Sequence, residues 1–411
     1  MPPTSFYQKQ TESTTTALRK EKEMKFIGSV RYVLGSAIMF GTSPEYFGLW
    51  LVWRGISLVL PNWLYQWGDD KLYSLYQRLV LFFFETCTRI EVVLYGDALD
   101  VIKKRESVLY LANHQSTVDW IVADMVALRC GSLGHLRYVM KDTLQMIPLY
   151  GMYFYAHGCI YVKRGKFNQG KMVGALEYLK NPKIPTWLVI FPEGTRYYPA
   201  QPKVIEKSEE YARDNNLQGS HFQRPLQNGH NTREKEIISK PVLKHHLVPK
   251  VKGTWLVTER LHEKFDAIYD ISVFYEGSVS EEGIRGNAPQ LIGVLMGKCK
   301  KIHIHVRRIP MCEVPQEEEK LKMWLHNMYV EKDQLAENFF SKDKELRSSV
   351  EKRLGGQPHS LSFWSTLSSF LFFTAMTVPY VCTKIGRQLY LQILVYGTLG
   401  SYGWLAYRSV C

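Results

Sequence analysis

Two long uncharged segments near the C-terminus constrain the fold of this chain more than any other feature. No charged residue occurs over the 22 residues 361–382, nor over the 19 residues 389–407. An α-helix needs about 20 mainly apolar residues to cross the hydrocarbon core of a bilayer. Lys384 and Arg387 separate the two segments. The pattern predicts a C-terminal transmembrane hairpin over residues 361–411.

The N-terminal region combines a polar stretch with an interrupted apolar one. Residues 1–25 are polar and carry charges of both signs, which predicts a disordered tail and neither a signal nor a transit peptide. Residues 32–60 are strongly apolar, but a Ser-Pro-Glu break at 43–45 and Arg54 interrupt them. The part before the break would reach only about 16 Å as a helix. Residues 26–68 are therefore predicted to form a membrane-embedded helical hairpin; the alternative is a buried hairpin of a soluble protein.

Between these ends, short β-rich runs alternate with helical patterns. The β-rich runs lie at 107–112, 186–191, 268–275 and 302–306, and the helical patterns at 120–128, 168–179 and 321–340. This alternation favours an α/β fold with a mainly parallel sheet flanked by helices. The domain is predicted to span residues 69–345, with a polar insertion at about 214–240 and a linker at 346–360.

The charge balance restricts the partners of the chain. Its 52 Lys and Arg residues exceed its 39 Asp and Glu residues, which gives a formal net charge of +13. Such a balance indicates an anionic partner: a nucleic acid, an anionic membrane surface or a phosphorylated substrate. Because the basic residues are dispersed between membrane segments, no nucleic-acid binding is expected. The seven Cys residues form no regular framework, and no metal-ligand constellation occurs, so no metal site is predicted.

A histidine and an aspartate follow the first β-rich run with the spacing His-x4-Asp. Asn113-His114 comes directly after the run, and Asp119 follows five residues later. Five helical steps would place the two side chains about 140° apart, so they can meet only if His114 precedes the helix. Ser116-x-x-Asp119 before an apolar run predicts such a helix start, a capping box with Ser116 at the N-cap. The simpler interpretation, that Asp119 only caps the helix, is compatible with a hydrogen bond to His114.

A second group of residues follows the run that ends at residue 191. It consists of Pro192, Glu193, Gly194, Thr195 and Arg196. These residues are predicted to form a tight turn at the carboxyl end of a strand, where open α/β sheets bind ligands. Gly194 allows backbone amides to face an anion, and Arg196 provides a planar set of donors. A short extended run from Gly158 to Arg164 provides another candidate arginine. For the block at 192–196, the alternative is an ordinary strand–turn with an exposed arginine.

These blocks, in this order, resemble the motifs of the 1-acylglycerol-3-phosphate acyltransferases, a family of glycerolipid acyltransferases. The matching segments are Asn-His-x4-Asp at 113–119, Gly-x-Ile-Tyr-x-x-Arg at 158–164 and Pro-Glu-Gly-Thr-Arg at 192–196. An element that begins at Lys141 also resembles the family, whereas the fourth block, at 247–251, is less typical. The resemblance covers residues 26 to 411, and the flanking segments match one isoform in particular.

The resemblance implies an integral membrane enzyme that transfers a fatty acyl group from acyl-CoA to the sn-2 hydroxyl of lysophosphatidic acid, forming phosphatidic acid. It implies that His114 and Asp119 are the catalytic pair. The implied substrate-binding residues are Lys141, Arg164, Glu193, Gly194, Thr195 and Arg196. The residues implied to support the motifs are Asn113, Gly158 and Pro192.

Acyl transfer from a thioester to an alcohol requires a base for the hydroxyl proton and a stabilised oxyanion. A neutral His114 would accept the proton while Asp119 fixes its tautomer, and no acyl-enzyme is required. The backbone amides at the start of the helix after His114 are the candidate oxyanion donors. Acyl-CoA is thus a co-substrate, and no cofactor is predicted.

Two alternatives stay open at this point. The acceptor could be a lysophospholipid with another headgroup, since two arginines suit a phosphate monoester but do not require one. The chain could also be an inactive lipid-binding scaffold, although the intact His114–Asp119 pair argues against this. The expected location is the endoplasmic reticulum membrane, with the mitochondrial outer membrane and the nuclear envelope as further candidates. The catalytic domain is expected to face the cytosol, where acyl-CoA is found.

Overall fold

The computed structural model describes residues 4–163, 168–217, 221–222, 238–239 and 243–410. The helices are α1 (Thr4–Gly41), α2 (Ser43–Ile56), α3 (Asn62–Leu81), α4 (Ala98–Val101), α5 (Asp119–Arg129), α6 (Tyr150–Ala156), α7 (Gln169–Leu179), α8 (Pro202–Asp214), α9 (Val251–Leu261), α10 (Leu291–Leu295), α11 (Glu318–Phe340), α12 (Lys344–Ser348), α13 (Val350–Arg353), α14 (Trp364–Cys382) and α15 (Lys384–Val410). The strands are β1 (Glu91–Gly96), β2 (Val108–Ala112), β3 (Leu136–Lys141), β4 (Ile160–Val162), β5 (Trp187–Ile190), β6 (His221–Phe222), β7 (Ile238–Ser239), β8 (Ala267–Tyr275), β9 (Lys301–Pro310) and β10 (Gln357–Pro358). The polar insertion predicted at about 214–240 lies mostly outside the described residues.

Eight of these strands form one sheet in the order β10-β1-β9-β8-β2-β5-β3-β4. Five of its seven strand pairings are parallel, and the pairs β8–β9 and β1–β10 are antiparallel. The predicted α/β class is therefore confirmed, and the sheet is mixed. The antiparallel β8–β9 pair arises because the chain between these strands contains only the short α10, which does not form a crossover helix.

The central strands β2, β5 and β8 are buried along their whole length. Helices cover both faces of the sheet, so β2 and β5 are continuous apolar runs, whereas β8 also contains the buried polar residues Asp270 and Ser272. Val108 and Tyr110 belong to the core beneath α3 and α5, whereas Leu109 and Leu111 belong to the core beneath α7, α9 and α11. Burial on both faces explains why these strands are recognisable in the sequence as β-rich runs.

The N-terminal region differs from the sequence prediction in two respects. Residues 4–25, predicted to be disordered, form the first part of α1, where Arg19 and Glu23 make an ion pair of 3.2 Å at helical spacing. The predicted domain boundary after residue 68 lies inside α3, which runs on to contact the sheet domain. The break at 43–45 does separate two helices, since Pro44 is tolerated only in the first turn of α2.

The C-terminal residues form two helices, α14 and α15, joined at Thr383. Within the described residues, α14 alone is long and apolar enough to cross a membrane. The predicted pair of spanning helices is therefore reduced to one candidate. The difference arises because the uncharged part of α15 contains Gln392 and several Gly, Ser and Tyr residues, which lower its mean hydropathy.

The segment 346–360, predicted to be a linker, is folded onto the sheet domain. It contains part of α12, the whole of α13, and β10, which pairs with β1 at the edge of the sheet. The backbone N–H of His359 donates to the carbonyl of Val92 (2.8 Å). The segment has this structure because it covers an edge strand whose backbone groups would otherwise lack partners.

The hairpin of α14 and α15 packs closely against the N-terminal helices. Phe373 is fully buried and meets Tyr76 edge to face, with ring centroids 5.7 Å apart. Phe370 stacks on Phe82 at 4.5 Å. From the last turn of α15, Arg408 donates to Gln145 Oε1 (3.0 Å). The hairpin is thus part of the folded unit and more than an appended anchor.

Removal of the hairpin is expected to destabilise the rest of the protein. A chain that ends after Ser362 keeps β10 but exposes the aromatic surface of α3, and each buried large side chain contributes about 1.5–3 kcal/mol. We expect a melting temperature in detergent several degrees below that of the full chain. A chain that ends after Arg408 is the matched control and should melt like the full chain. An unchanged melting temperature for the shorter chain would show that the hairpin only anchors.

Candidate active site

Five adjacent parallel strands, β8, β2, β5, β3 and β4, end at the same edge of the sheet. Asn113-His114 follows β2, and the turn that begins at Pro192 lies just beyond β5. Lys141 is the exposed last residue of β3 and is paired with Val162 of β4. Arg164 comes two residues later and lies outside the described residues. Sheet topology therefore brings the sequence blocks together, because the carboxyl ends of parallel strands share one edge.

His114 and Asp119 are in direct contact at this edge. Nδ1 of His114 lies 2.7 Å from Oδ2 of Asp119. The side chain of Asp119 is 1% exposed, and that of His114 is 17% exposed. Because the buried carboxylate accepts a hydrogen bond, Nδ1 carries the hydrogen and Nε2 has a free lone pair. The ring of Phe191 stacks on the imidazole at 4.4 Å and restricts its orientation.

Three further donors hold the carboxylate of Asp119. The backbone N–H groups of Gln115 and Ser116 donate to Oδ2 at 2.7 and 2.8 Å. The hydroxyl of Tyr275, the last residue of β8, donates to Oδ1 at 2.6 Å. Donors to a charged carboxylate stabilise its ionised form. Asp119 is thus a fixed acceptor that sets the position and tautomer of His114.

The start of α5 differs from the predicted capping box. The helix begins at Asp119, and the residue at the N-cap position is Val118. The Ser116 hydroxyl donates to the carbonyl of Pro289 (2.5 Å) and accepts from the backbone N–H of Val118 (3.2 Å). Ser116 therefore does not cap the helix as predicted. Of the two hydrogen bonds of a capping box, only the one from the Ser116 backbone N–H to the Asp119 carboxylate is present. The same carboxylate turns back toward His114.

Four of the predicted oxyanion donors, the backbone amides of residues 115–118, are engaged elsewhere. After His114, the first two backbone N–H groups donate to Asp119, and that of Val118 donates to Ser116 Oγ. The backbone N–H of Thr117 donates to Gln290 Oε1 (3.1 Å). The oxyanion prediction is therefore wrong for residues 115–118, whose amides hold the carboxylate and the loop above it.

Glu193 connects three parts of the site without reaching its surface. Its Oε1 accepts from the backbone N–H of His114 (2.8 Å), and its Oε2 accepts from that of Leu247 (3.0 Å). Only 1% of the residue is exposed, and burial raises the pKa of its carboxyl to about 8. Direct contact with a substrate, implied by the family resemblance, does not fit this burial. Glu193 positions His114 and ties the less typical fourth block to the site.

Two basic side chains lie at the turn after Glu193: Arg196 of the turn itself and Lys250 from the N-cap of α9. Gly194 has φ +70°, a left-handed conformation that a side chain would strain. Thr195 and Arg196 are partly exposed, and the Arg196 guanidinium lies 5.5 Å from the centre of the Tyr198 ring. The Nζ of Lys250 is 3.8 Å from the position that a Cβ would occupy at Gly194. Sequence reasoning missed Lys250, although a basic residue inside the fourth block was a usable signal.

The residues predicted to support the motifs have structural contacts. The side-chain amide of Asn113 donates to the carbonyl of Val273 (3.1 Å) and accepts from its N–H (2.8 Å), which extends the β2–β8 ladder. Gly158, two residues before β4, has φ +96°, and a Cβ there would lie 3.1 Å from Tyr178. The carbonyl of Pro192 accepts from the backbone N–H of Lys250 (2.8 Å).

The segment 276–291 lies over the catalytic turn and contributes contacts that sequence reasoning missed. Arg285 Nη2 donates to Gln115 Oε1 (3.3 Å), and the backbone N–H of Leu291 donates to Thr117 Oγ1 (2.9 Å). The segment has no apolar pattern, so only its contacts in the folded chain reveal it.

One group of possible metal ligands occurs among the described residues, at the amino end of β3 and thus opposite the site edge. Asp69, Asp70 and His157 have ligand atoms within 4.8 Å of one another. Arg137 donates to Asp70 (2.6 Å), and Nδ1 of His157 is hydrogen-bonded to Oδ2 of Asp69 (2.5 Å). These contacts form a buried ion-pair network. The prediction of no metal site stays a prediction.

Comparison with known families identifies two matching regions. A family model described as Acyltransferase matches residues 97–213, and a model described as Acyltransferase C-terminus matches residues 293–365. The first region contains every motif block except the fourth. Tyr275, Arg285 and Gln290 lie between the two regions.

Curated relatives extend the similarity over nearly the whole chain. The mouse 1-acyl-sn-glycerol-3-phosphate acyltransferase epsilon is 42% identical over 93% of this chain and 97% of its own length. Epsilon is also the isoform that the flanking segments resemble, so that resemblance is confirmed. An Arabidopsis thaliana protein named probable 1-acyl-sn-glycerol-3-phosphate acyltransferase 5 is 26% identical over 78% of this chain and 74% of its own. The mouse 1-acyl-sn-glycerol-3-phosphate acyltransferase gamma is 28% identical over 76% of this chain and 73% of its own length.

Proposed function

Because this chain belongs to the 1-acyl-sn-glycerol-3-phosphate acyltransferase family, we propose that it transfers a fatty acyl group from acyl-CoA to the sn-2 hydroxyl of lysophosphatidic acid. The observation that carries the proposal is the His114–Asp119 contact at the carboxyl edge of the sheet. Its free Nε2 suits proton abstraction from an alcohol. Acyl-CoA is a co-substrate in this reaction, which needs no further cofactor.

The proposed mechanism is direct attack of the acceptor hydroxyl on the thioester carbonyl. Nε2 of His114 accepts the hydroxyl proton as the new ester bond forms, and the imidazolium that results is stabilised by Asp119. The thioester bond breaks and CoA leaves as a thiolate, which takes up the proton. Arg196, on the neighbouring turn, and Lys250, at the N-cap of α9 beside that turn, hold the acceptor's phosphate. Lys141 at the end of β3 and Arg164, which the family resemblance implies, contribute further positive charge.

The acceptor is tested with radiolabelled acyl-CoA and a panel of lysophospholipids, using membranes that contain the protein. We expect labelled phosphatidic acid to form fastest from lysophosphatidic acid. Lysophosphatidylcholine and lysocardiolipin serve as matched acceptors with other headgroups. Preferential labelling of either would identify a different lysophospholipid acyltransferase, and absence of any labelled product above the background of control membranes would contradict the proposed activity.

A bilayer location is part of the proposal. The terminal helices expose many large apolar side chains, among them Val33, Leu34, Val52, Ile56, Leu371, Phe372, Val378 and Leu391. Soluble monomers rarely expose apolar surface on this scale, which supports a membrane environment. We place the protein in the endoplasmic reticulum membrane, with the mitochondrial outer membrane and the nuclear envelope as further sites, and its catalytic domain on the cytosolic side.

Protease digestion of sealed microsomes tests this orientation. We expect fragments that contain His114 to be cut without detergent, because the donor substrate is a cytosolic polyanion. The lumenal chaperones of the same vesicles are the control for intact membranes. Protection of the His114 region until detergent is added would place the catalytic domain on the opposite side.

A further inference from the structure

Arg285 is a cation beside the catalytic turn that contacts no carboxylate among the described residues. Its Nη1 donates to Nδ1 and to the backbone carbonyl of His245, at 2.8 and 3.0 Å. Its Nη2 donates to Oε1 of Gln115 at 3.3 Å. All three acceptors are uncharged, since burial lowers the pKa of His245. The positive charge is therefore oriented by its neighbours without being neutralised.

Two aromatic rings shield this guanidinium from water. Its central carbon lies 4.4 Å from the centre of the Tyr197 ring and 3.9 Å from that of Phe340. Burial lowers the pKa of Arg285 to about 10, so the side chain keeps its charge at neutral pH. A desolvated charge without a counter-ion is costly unless a partner offsets the lost hydration.

The nearby carboxylates are committed to other partners, and Glu337 lies 3.3 Å from Nζ of Lys244 and 3.4 Å from Nε2 of His245. Asp333 accepts from the backbone N–H groups of Lys244 and His245 and lies 3.1 Å from Nδ1 of His246. Glu193 accepts from two backbone N–H groups, and its raised pKa of about 8 leaves it mostly uncharged at neutral pH.

Other arginines at the sheet have direct counter-ions. Arg307 contacts Asp270 and Glu331, and Arg308 contacts Glu106 at 2.8 Å. Arg285 differs from both in having neutral acceptors only. Arg285 therefore does not form a structural ion pair with the protein. Its charge is left for an anion that arrives with a substrate.

The position of Arg285 places this charge at the site. Gln115, which accepts its hydrogen bond, directly follows His114. Tyr197, on which it stacks, directly follows Arg196, and the Tyr197 N–H donates to the carbonyl of His114 (2.8 Å). Two of its contacts are thus one residue away from the proposed base and from a proposed phosphate ligand.

We propose that Arg285 binds a phosphate group of a substrate during acyl transfer. Its Nε–H and the second hydrogen of Nη2 have no partner in the part of the chain that the structure describes, and together these donors match the fork that arginine offers to phosphate. The inference rests on the proposed function, in which both substrates carry phosphate: a monoester on lysophosphatidic acid, and a diphosphate with a monoester on CoA.

The test compares Arg285→Lys and Arg285→Gln with the wild-type full chain in detergent micelles. Lysine keeps the charge but loses the fork, and glutamine loses both. We expect KM for one of the two substrates to rise about 10- to 100-fold, more in the glutamine variant, with kcat changed by less than about threefold. The substrate whose KM rises identifies the source of the phosphate. Arg308→Lys, at a paired arginine, is the control and should leave both KM values unchanged.

Arg196→Lys, measured in parallel, shows whether both arginines serve the same substrate. Unchanged KM values in both Arg285 variants would overturn the proposal. So would a loss confined to kcat, which would mean that Arg285 only holds the catalytic turn. If Arg285→Gln folds poorly by its melting temperature, the result with Arg285→Lys decides.

Binding without turnover separates this inference from the proposed function. Calorimetric titration of the same proteins with CoA, and with an ether analogue of lysophosphatidic acid, requires no chemistry. Weaker binding of one ligand to the Arg285 variants supports the phosphate contact even if the wild-type protein transfers no acyl group, which would contradict the proposed function alone. Equal binding of both ligands to all variants contradicts the phosphate contact.

Discussion

Replacement of His114 by alanine is expected to lower the rate of acyl transfer by about 10²- to 10⁴-fold, the usual effect of removing a general base. The substitution deletes the imidazole whose Nδ1 lies 2.7 Å from Asp119 and whose Nε2 accepts the hydroxyl proton. The side chain is partly exposed, so folding and membrane insertion should be preserved. The measurement is the initial rate with saturating radiolabelled acyl-CoA and lysophosphatidic acid, together with the melting temperature.

His262→Ala is the matched control for this experiment. His262 follows the far end of α9, the helix that begins beside Lys250, and it should be dispensable for the reaction. We expect the control to retain wild-type turnover. A His114→Ala protein that folds normally and turns over at the wild-type rate would refute the assignment of the base.

Replacement of Asp119 by asparagine is expected to lower the rate by about 10²- to 10⁴-fold as well, since an orienting carboxylate fixes the tautomer of the base. Donors approach both carboxylate oxygens: His114 and two backbone amides at Oδ2, and Tyr275 at Oδ1. A carboxamide must point its NH₂ group at one of these sets. Each buried donor left without an acceptor costs about 1–3 kcal/mol.

The asparagine substitution can act through lost orientation of His114 or through a buried donor left without an acceptor, and Tyr275→Phe distinguishes these two consequences. It removes only the donor to Oδ1 and leaves the contact of Asp119 with His114 intact. We expect this variant to lose far less activity than Asp119→Asn. Melting temperatures of both variants show how much of any loss is instability. Near wild-type activity in Asp119→Asn would exclude an orienting role for the carboxylate.

The contact between His114 and Asp119 could be predicted from sequence because it is local. A histidine between a buried strand and a helix start can meet a carboxylate in the first turn, and that geometry depends on only six residues. The clustering of the motif blocks was likewise predictable, since each follows a strand-like run and parallel strands end at one edge.

Contacts across long stretches of chain could not be predicted in this way. Tyr275 and Gln290 reach the catalytic turn from segments more than 150 residues away in the chain, and nothing in their local pattern marks them. The oxyanion prediction failed for the same reason. It assumed that the amides after His114 were free, whereas Asp119 and Gln290 occupy three of them.

The terminal regions show a second limit of sequence patterns. Residues 346–360 lack a strong apolar period and were predicted to be a linker, yet β10 pairs with β1 and His359 donates to Val92. Two-residue strands of this kind are stabilised by an available sheet edge and not by their own composition. Charged residues such as Lys384 predict a turn between two helices, but they lie in the first turn of α15.

Direct transfer with His114 as the base is tested by a rapid-mixing experiment. Purified protein is mixed with radiolabelled acyl-CoA alone, and lysophosphatidic acid is added afterwards. We expect no label bound to the protein and no release of CoA before the acceptor is added, followed by labelled phosphatidic acid in the wild type but not in His114→Ala. A burst of CoA release with covalently labelled protein before the acceptor is added would contradict direct transfer.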